Sequence, residues 1–208
     1  MDKGKLKRAT EKYWNSSKNN DYDVYLNEYV CEKKDMLDGN SLMEAELEWA
    51  KENGCITTKH SETLVLLVGF SLEPLLQSVW VHKPEKIALL LNEEGYLGEE
   101  WQVFAQHLIK AIRNLKANGF EGSKVKLLGD KSLAEPGYPT KGDPASVFNT
   151  LVYILHDEKD VVIDITGGKK SMVTGAFMYA AYAGARISYV DFEEYDPEKR
   201  RPYGFGCK

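Results

Sequence analysis

The run Val161-Val162-Ile163-Asp164-Ile165-Thr166-Gly167-Gly168-Lys169-Lys170-Ser171-Met172 holds the residues best placed to do chemistry. Four β-branched residues and an aspartate predict a short buried strand. Two glycines then let the backbone turn, and a helix begins at two lysines. A helix start presents unpaired N–H groups and the positive end of the helix dipole. Cations oppose that dipole, so Lys169 and Lys170 need a reason to sit there, and an anion, above all a phosphate, supplies one. Thr166, Gly167, Gly168, Lys169 and Lys170 are therefore candidate binding residues. Asp164 reads as structural, bonding turn amides or Thr166.

The commonest phosphate patterns do not fit. A Walker loop needs a glycine five residues before Gly168, where Ile163 stands, and Ser or Thr after Lys169, where Lys170 stands. A dinucleotide fingerprint needs three glycines after the first strand, and Gly69-Phe70-Ser71-Leu72-Glu73-Pro74 has one. There is no G-x-S-x-G elbow, and none of His60, His82, His107 or His156 sits at either turn.

The elements that must position these residues alternate. Leu64–Val68 is a continuous apolar run ending in Gly69, hence a buried strand. Leu72, Leu75, Leu76 and Val79 follow at helical spacing. Lys86–Leu91 is a second strand stopped by Asn92, and Trp101 to Leu115 trace a helical face closed by Gly119. Lys124–Leu128 is a weaker third strand. A loop with Pro136, Gly137, Pro139 and Gly142 leads to a helix with Val147, Phe148, Leu151, Val152 and Leu155 inward. The strands Val161–Ile165 and Arg186–Val190 flank a small-residue helix. Strands alternating with helices predict an α/β fold: a Rossmann-like doubly wound, mostly parallel sheet with helices on both faces. Ligands of such sheets bind beyond the carboxyl ends of the strands, where the order reverses. With order 3-2-1-4-5, the Gly69–Pro74 and Thr166–Lys170 turns meet in one crevice. Ser71 there is either a helix N-cap or a ligand contact.

Residues 1–60 read as a mainly helical appendage of unknown role, and 61–208 as the Rossmann-like domain. The first part is polar, with a capping box at Ser41 and Glu44 and with Gly54 closing the helix. Tyr13, Trp14, Tyr22, Tyr25 and Tyr29 read as packing contacts with the Rossmann core, or as a partner surface. The net charge of -5 argues against long nucleic acid as partner. Cys31, Cys55 and Cys207 have no CxxC spacing, so neither a metal site nor a disulfide framework is indicated. Neither a signal peptide nor a membrane-length apolar run is present, which points to the cytoplasm. No cofactor is expected.

Asp164-Ile165-Thr166-Gly167-Gly168-Lys169-Lys170-Ser171-Met172 resembles the D-x-T-G-G-[TK]-K-x-M signature of CARF domains, the CRISPR-associated Rossmann fold sensors of type III CRISPR systems. Val68–Leu75 and Lys83-Pro84-Glu85-Lys86 are similar to the same family. Tyr195–Pro202 is similar to the segment leaving such domains toward an effector module. The resemblance spans roughly residues 62–203. It implies a homodimer that binds a cyclic oligoadenylate, cyclic tetra-adenylate foremost, on its two-fold axis. Gly69, Phe70, Ser71, Asn92, Thr166, Gly167, Gly168, Lys169 and Lys170 would be the binding residues. The family usually carries one lysine after the glycines, and Lys169 is the extra one. A further implication is a metal-independent ring nuclease, with Lys170 and Ser71 as its catalytic residues. A third reading is a nucleotide-sensing DNA-binding regulator with residues 1–60 as reader, which the net acidity disfavours. Were the chain a whole protein, a self-standing ring nuclease would gain weight; were it a fragment, an effector domain would lie elsewhere.

Overall fold

The computed structural model describes residues 2–16, 26, 28–31, 37, 40–56, 59–69, 71–92, 100–117, 119–129, 131–192, 194–196 and 201–203. Phe70, Tyr22, Tyr25 and Cys207 lie outside them. The chain divides into two compact units, Lys59–Tyr189 on the one hand and Met1–Thr58 with Val190–Lys208 on the other.

The second of these units contains helices α1 (Lys3–Ser16) and α2 (Leu42–Glu52). Ser41 caps α2: its hydroxyl accepts from the Glu44 N–H while the Glu44 carboxylate accepts from the Ser41 N–H, the expected capping box. Gly54 follows the C-cap at φ 74, a left-handed conformation. Tyr13 packs on Tyr29 with ring centroids 5.4 Å apart. A buried carboxylate, Glu46, is satisfied by Thr10 Oγ1 at 3.0 Å and Tyr29 Oη at 2.6 Å.

Val190–Lys208 group with Met1–Thr58 in this division, whereas the sequence places 61–208 together. Trp14 packs on Tyr203 with tilted rings 4.7 Å apart, Tyr203 Oη donates to Glu11, and Lys3 and Lys7 both pair with Glu194. Cys55 is disulfide-bonded, although the spacing of the cysteines indicated no bridge. Cys31 is an exposed free thiol. Sequence spacing reports only local cysteine pairs, not those that tertiary structure brings together.

Lys59–Tyr189 is the Rossmann-like unit. It comprises β1 (Thr63–Leu67), α3 (Glu73–His82), β2 (Lys86–Asn92), α4 (Glu100–Asn114), the short hairpin β3 (Lys116–Ala117) and β4 (Phe120–Glu121), β5 (Lys126–Leu127), β6 (Tyr138–Thr140), α5 (Pro144–Ile154), β7 (Val161–Asp164), α6 (Lys170–Ala183) and β8 (Arg186–Ser188). The last two strands, β9 (Tyr195–Asp196) and β10 (Arg201–Pro202), pair antiparallel in the other unit. The main sheet runs β5-β2-β1-β7-β8, every pairing parallel, which is the expected 3-2-1-4-5 order. Its central strand β1 is buried at all five positions, as an apolar strand covered on both faces must be. The core joins Val65, Leu67, Ile163 and Leu90 to Val147 and Leu151 of α5 and Met172 and Ala176 of α6.

Three local expectations change. The α4 helix ends at Asn114, before Gly119, because β3 and β4 form a hairpin across that glycine. Asn92 is the last residue of β2, not the residue after it. Residues 138–140, expected as loop, form β6, which pairs parallel with the end of β2 at Leu90, Leu91 and Asn92. No described helix is long and apolar enough to cross a membrane.

Candidate functional site

The β1–α3 and β7–α6 turns touch, backbone on backbone. A Cβ at Gly69 would run into the carbonyl oxygen of Gly167, and one at Gly167 would run into the Leu67 carbonyl and approach Gly69 N to 3.0 Å. The register explains the meeting. Leu66 lies opposite Asp164, so both strands end level and their turns emerge side by side where the order reverses. Glycine is required at both places by this close approach.

Asp164 shapes the second turn from below. It is fully buried, and its Oδ1 accepts the Thr166 N–H at 3.0 Å, while the Gly168 N–H closes the turn on the Ile165 carbonyl. Its Oδ2 is buried without a well-aligned hydrogen bond, the hydroxyl of Ser78 being close enough only to ease its charge. Burial outweighs those contacts and pushes the carboxyl up to about 6. Bonded inward, Asp164 is a structural residue, as its strand-end position suggested.

Beside it lies a second buried polar group, His82 at the end of α3. Its Nδ1 faces the Lys59 carbonyl at 3.0 Å, which can only accept, so the proton sits on Nδ1 and Nε2 accepts from Ser188 Oγ at 3.0 Å. Burial holds its pKa below the ordinary histidine value.

Ser71 is exposed, and the N-cap of α3 is Leu72, with no side-chain cap bond. The capping role weighed for Ser71 is therefore not its role. Lys169 caps α6 in extended backbone conformation without a side-chain cap bond, and Lys170 opens the helix; both lysines are exposed. Thr166, Gly167 and Gly168 are half-buried between them and the sheet. Asn92 is only 6% exposed, and its Oδ1 has no hydrogen-bond partner.

A third wall was not read from the sequence. After β6 the chain passes Lys141, Gly142 and Asp143 into α5. Thr140 Oγ1 donates to the Leu91 carbonyl at 3.2 Å and accepts the Gly142 N–H at 3.2 Å, and Ser171 Oγ donates to the Gly142 carbonyl. These bonds tie the segment to β2 on one side and to the start of α6 on the other. The missed signal was Asp143-Pro144, an N-cap followed by proline at the first helical position, which places a helix start and its amides beside the crevice.

No family model matches the chain. A curated relative, the CRISPR system endoribonuclease Csm6 of Thermus thermophilus, is 38% identical over 69 residues, in an alignment covering 30% of this chain and 15% of that protein. Among solved structures, Can2 from Sulfobacillus thermosulfidooxidans in complex with cyclic tetra-adenylate matches with a TM-score of 0.48 at 19% identity, over 63% of this chain and 32% of Can2. In the Rossmann-like unit the structure brings together Gly69, Asn92 and Thr166–Lys170 at the carboxyl end of the sheet, with Ser71 on the first turn. Phe70, also expected there, lies outside the described residues.

Proposed function

We propose that the CARF-like unit binds a cyclic oligoadenylate, cyclic tetra-adenylate foremost, across two copies of the chain, as a sensor in type III CRISPR signalling. The observation that carries the reading is the contact of the two glycine turns at the strand reversal, with two lysines at the start of α6. That arrangement offers helix-start amides and cations to a phosphate and leaves the backbone bare enough for close approach. The similarity to Csm6 over 69 residues supports the pathway.

A second copy is supported by α5 and α6. Residues 144–156 and 171–185 contain no Asp, Glu, Lys or Arg in a chain that is 28% charged. Yet Val152 and Tyr153 of α5, and Phe177, Met178 and Tyr182 of α6, are exposed large side chains. An uncharged aromatic face of this kind marks an interaction surface. Lys170, Thr174, Phe177, Met178 and Tyr182 share one face of α6, which starts at the anion turn. Pairing that face with itself is isologous and carries both turns toward one axis, which suits a ring with two-fold symmetry.

Calorimetry with cyclic tri-, tetra- and hexa-adenylate tests the reading. One ring is expected per two chains, with binding abolished by Lys170→Ala. Wild type that binds none of the rings would refute it. In sedimentation, Phe177→Glu combined with Tyr182→Glu is expected to turn a dimer into folded monomers that no longer take up the ring. A double variant that stays dimeric removes α6 from the interface.

A further inference from the structure

The two lysines of the turn differ in where they reach. Lys170 lies on the exposed face of α6, in line with Thr174. Lys169 turns back across the crevice. Its Cε and Nζ crowd the point where a Cβ of Gly142 would lie, Nζ within 2.6 Å of it, and Asn92 Oδ1 crowds the same point. Gly142 is held there by both of its peptide groups, through Thr140 Oγ1 and Ser171 Oγ. It adopts φ 72, the left-handed region, so glycine is demanded by conformation as well as by space. Asn92 Oδ1 is buried and has no partner, which is costly for an acceptor unless something arrives to donate to it.

We propose that Lys169, Asn92 and the bare backbone of Gly142 form an inner subsite at the end of β2, which takes a phosphate of the ligand set beside a hydrogen-bond donor such as an exocyclic amine. The ligand class rests on the reading above; the subsite does not. Lys169 supplies the charge and Asn92 Oδ1 accepts the donor. Gly142 leaves room for the lysine stem to lie across the loop. Lys170, on the outward face, then serves the part of the ligand nearer the second copy. The extra lysine is thus a separate contact and not a duplicate of its neighbour. Any side chain at 142 displaces Lys169 and Asn92 together, which makes Gly142 the residue that sets the size of the subsite.

The test uses the full chain and two probes. With cyclic tetra-adenylate in calorimetry, Lys169→Met is expected to weaken binding about tenfold, the loss of one charge-assisted contact, and to make the affinity less dependent on salt. Gly142→Ala, which keeps both partners in the sequence but displaces them, is also expected to weaken binding. Because its backbone is strained, its unfolding temperature is measured alongside. In double-mutant cycles, Asn92→Leu is expected to couple with Lys169→Met and to add independently to Lys170→Met. With adenosine monophosphate as the second probe, the Lys169 Cε resonance in carbon-13 NMR spectra is expected to shift. A mononucleotide that moves Lys169 in a protein that binds no ring removes the ring reading and leaves the subsite standing. A Lys169→Met variant that binds the ring as wild type does, or a Lys169 that neither probe moves, overturns the subsite.

Discussion

Replacing Gly69 by alanine is expected to cost about 1–3 kcal/mol of stability, the range for overpacking a filled interior, and to abolish ring binding. The new Cβ would meet the Gly167 carbonyl oxygen, a backbone atom that no rotamer change can move aside. Nor can the turn retreat, because β1 and β7 pair in register to Leu66 and Asp164, immediately before the two turns. Gly69 does not have positive φ, so the cost is steric and not conformational. In a chain of 208 residues each kcal/mol lowers the unfolding temperature by roughly 2–4 °C. Gly54 is the contrasting position, since a Cβ there meets nothing within 4 Å and only its backbone conformation resists. Thermal unfolding and calorimetry on the Gly69→Ala variant check both halves. Unchanged melting with unchanged binding would show that the turns do not touch in solution.

The second large effect concerns pH. Burial raises Asp164 to about 6, against an ordinary value of 3.8, so the folded protein holds this proton where the unfolded chain releases it. The associated stability is fully present below about pH 4 and is lost as pH rises through about 6, because ionisation then occurs in a site that disfavours charge. The difference corresponds to about 3 kcal/mol as an order of magnitude. Asp164→Asn keeps an acceptor for the Thr166 N–H and removes the charge. It is expected to raise unfolding free energy at pH 7 by about 1–3 kcal/mol and to change it little at pH 4. Denaturant titrations at both values read this directly. A variant less stable than wild type at pH 7 would mean that the carboxylate is favoured where it lies.

The strands and the two turns were legible because each rests on strong local signals, and their meeting follows once the strand order is assumed. Continuous apolar runs such as Leu64–Val68 identify strands buried on both faces, and glycines directly after them identify turns. The 3-2-1-4-5 order is one of the common orders of doubly wound sheets, an assumption at the level of sequence that the sheet matches. What escaped was decided at a distance. Residues 138–140 are too few and too rich in proline to read as a strand, and they become one only because the end of β2 offers a free edge. The reach of Lys169 depends on a glycine 27 positions earlier. The allegiance of Val190–Lys208 to the N-terminal segment depends on Trp14 and Glu11 meeting Tyr203, partners that no window of neighbouring residues contains.

That last arrangement has a consequence for the order in which the chain can be completed during synthesis. Residues 1–58 leave the ribosome before the Rossmann unit, yet Tyr203 and Glu194, which pack on or pair with their aromatic and basic side chains, are made after it. A strand-and-helix unit of Lys59–Tyr189 must be translated in between. At roughly 5–20 residues per second the wait lasts several seconds or more, long enough for the sheet to form while the first helices still lack their closing partner. The Rossmann unit therefore behaves as an insert in sequence that can fold on its own clock, while the first helices wait for residues 190–203.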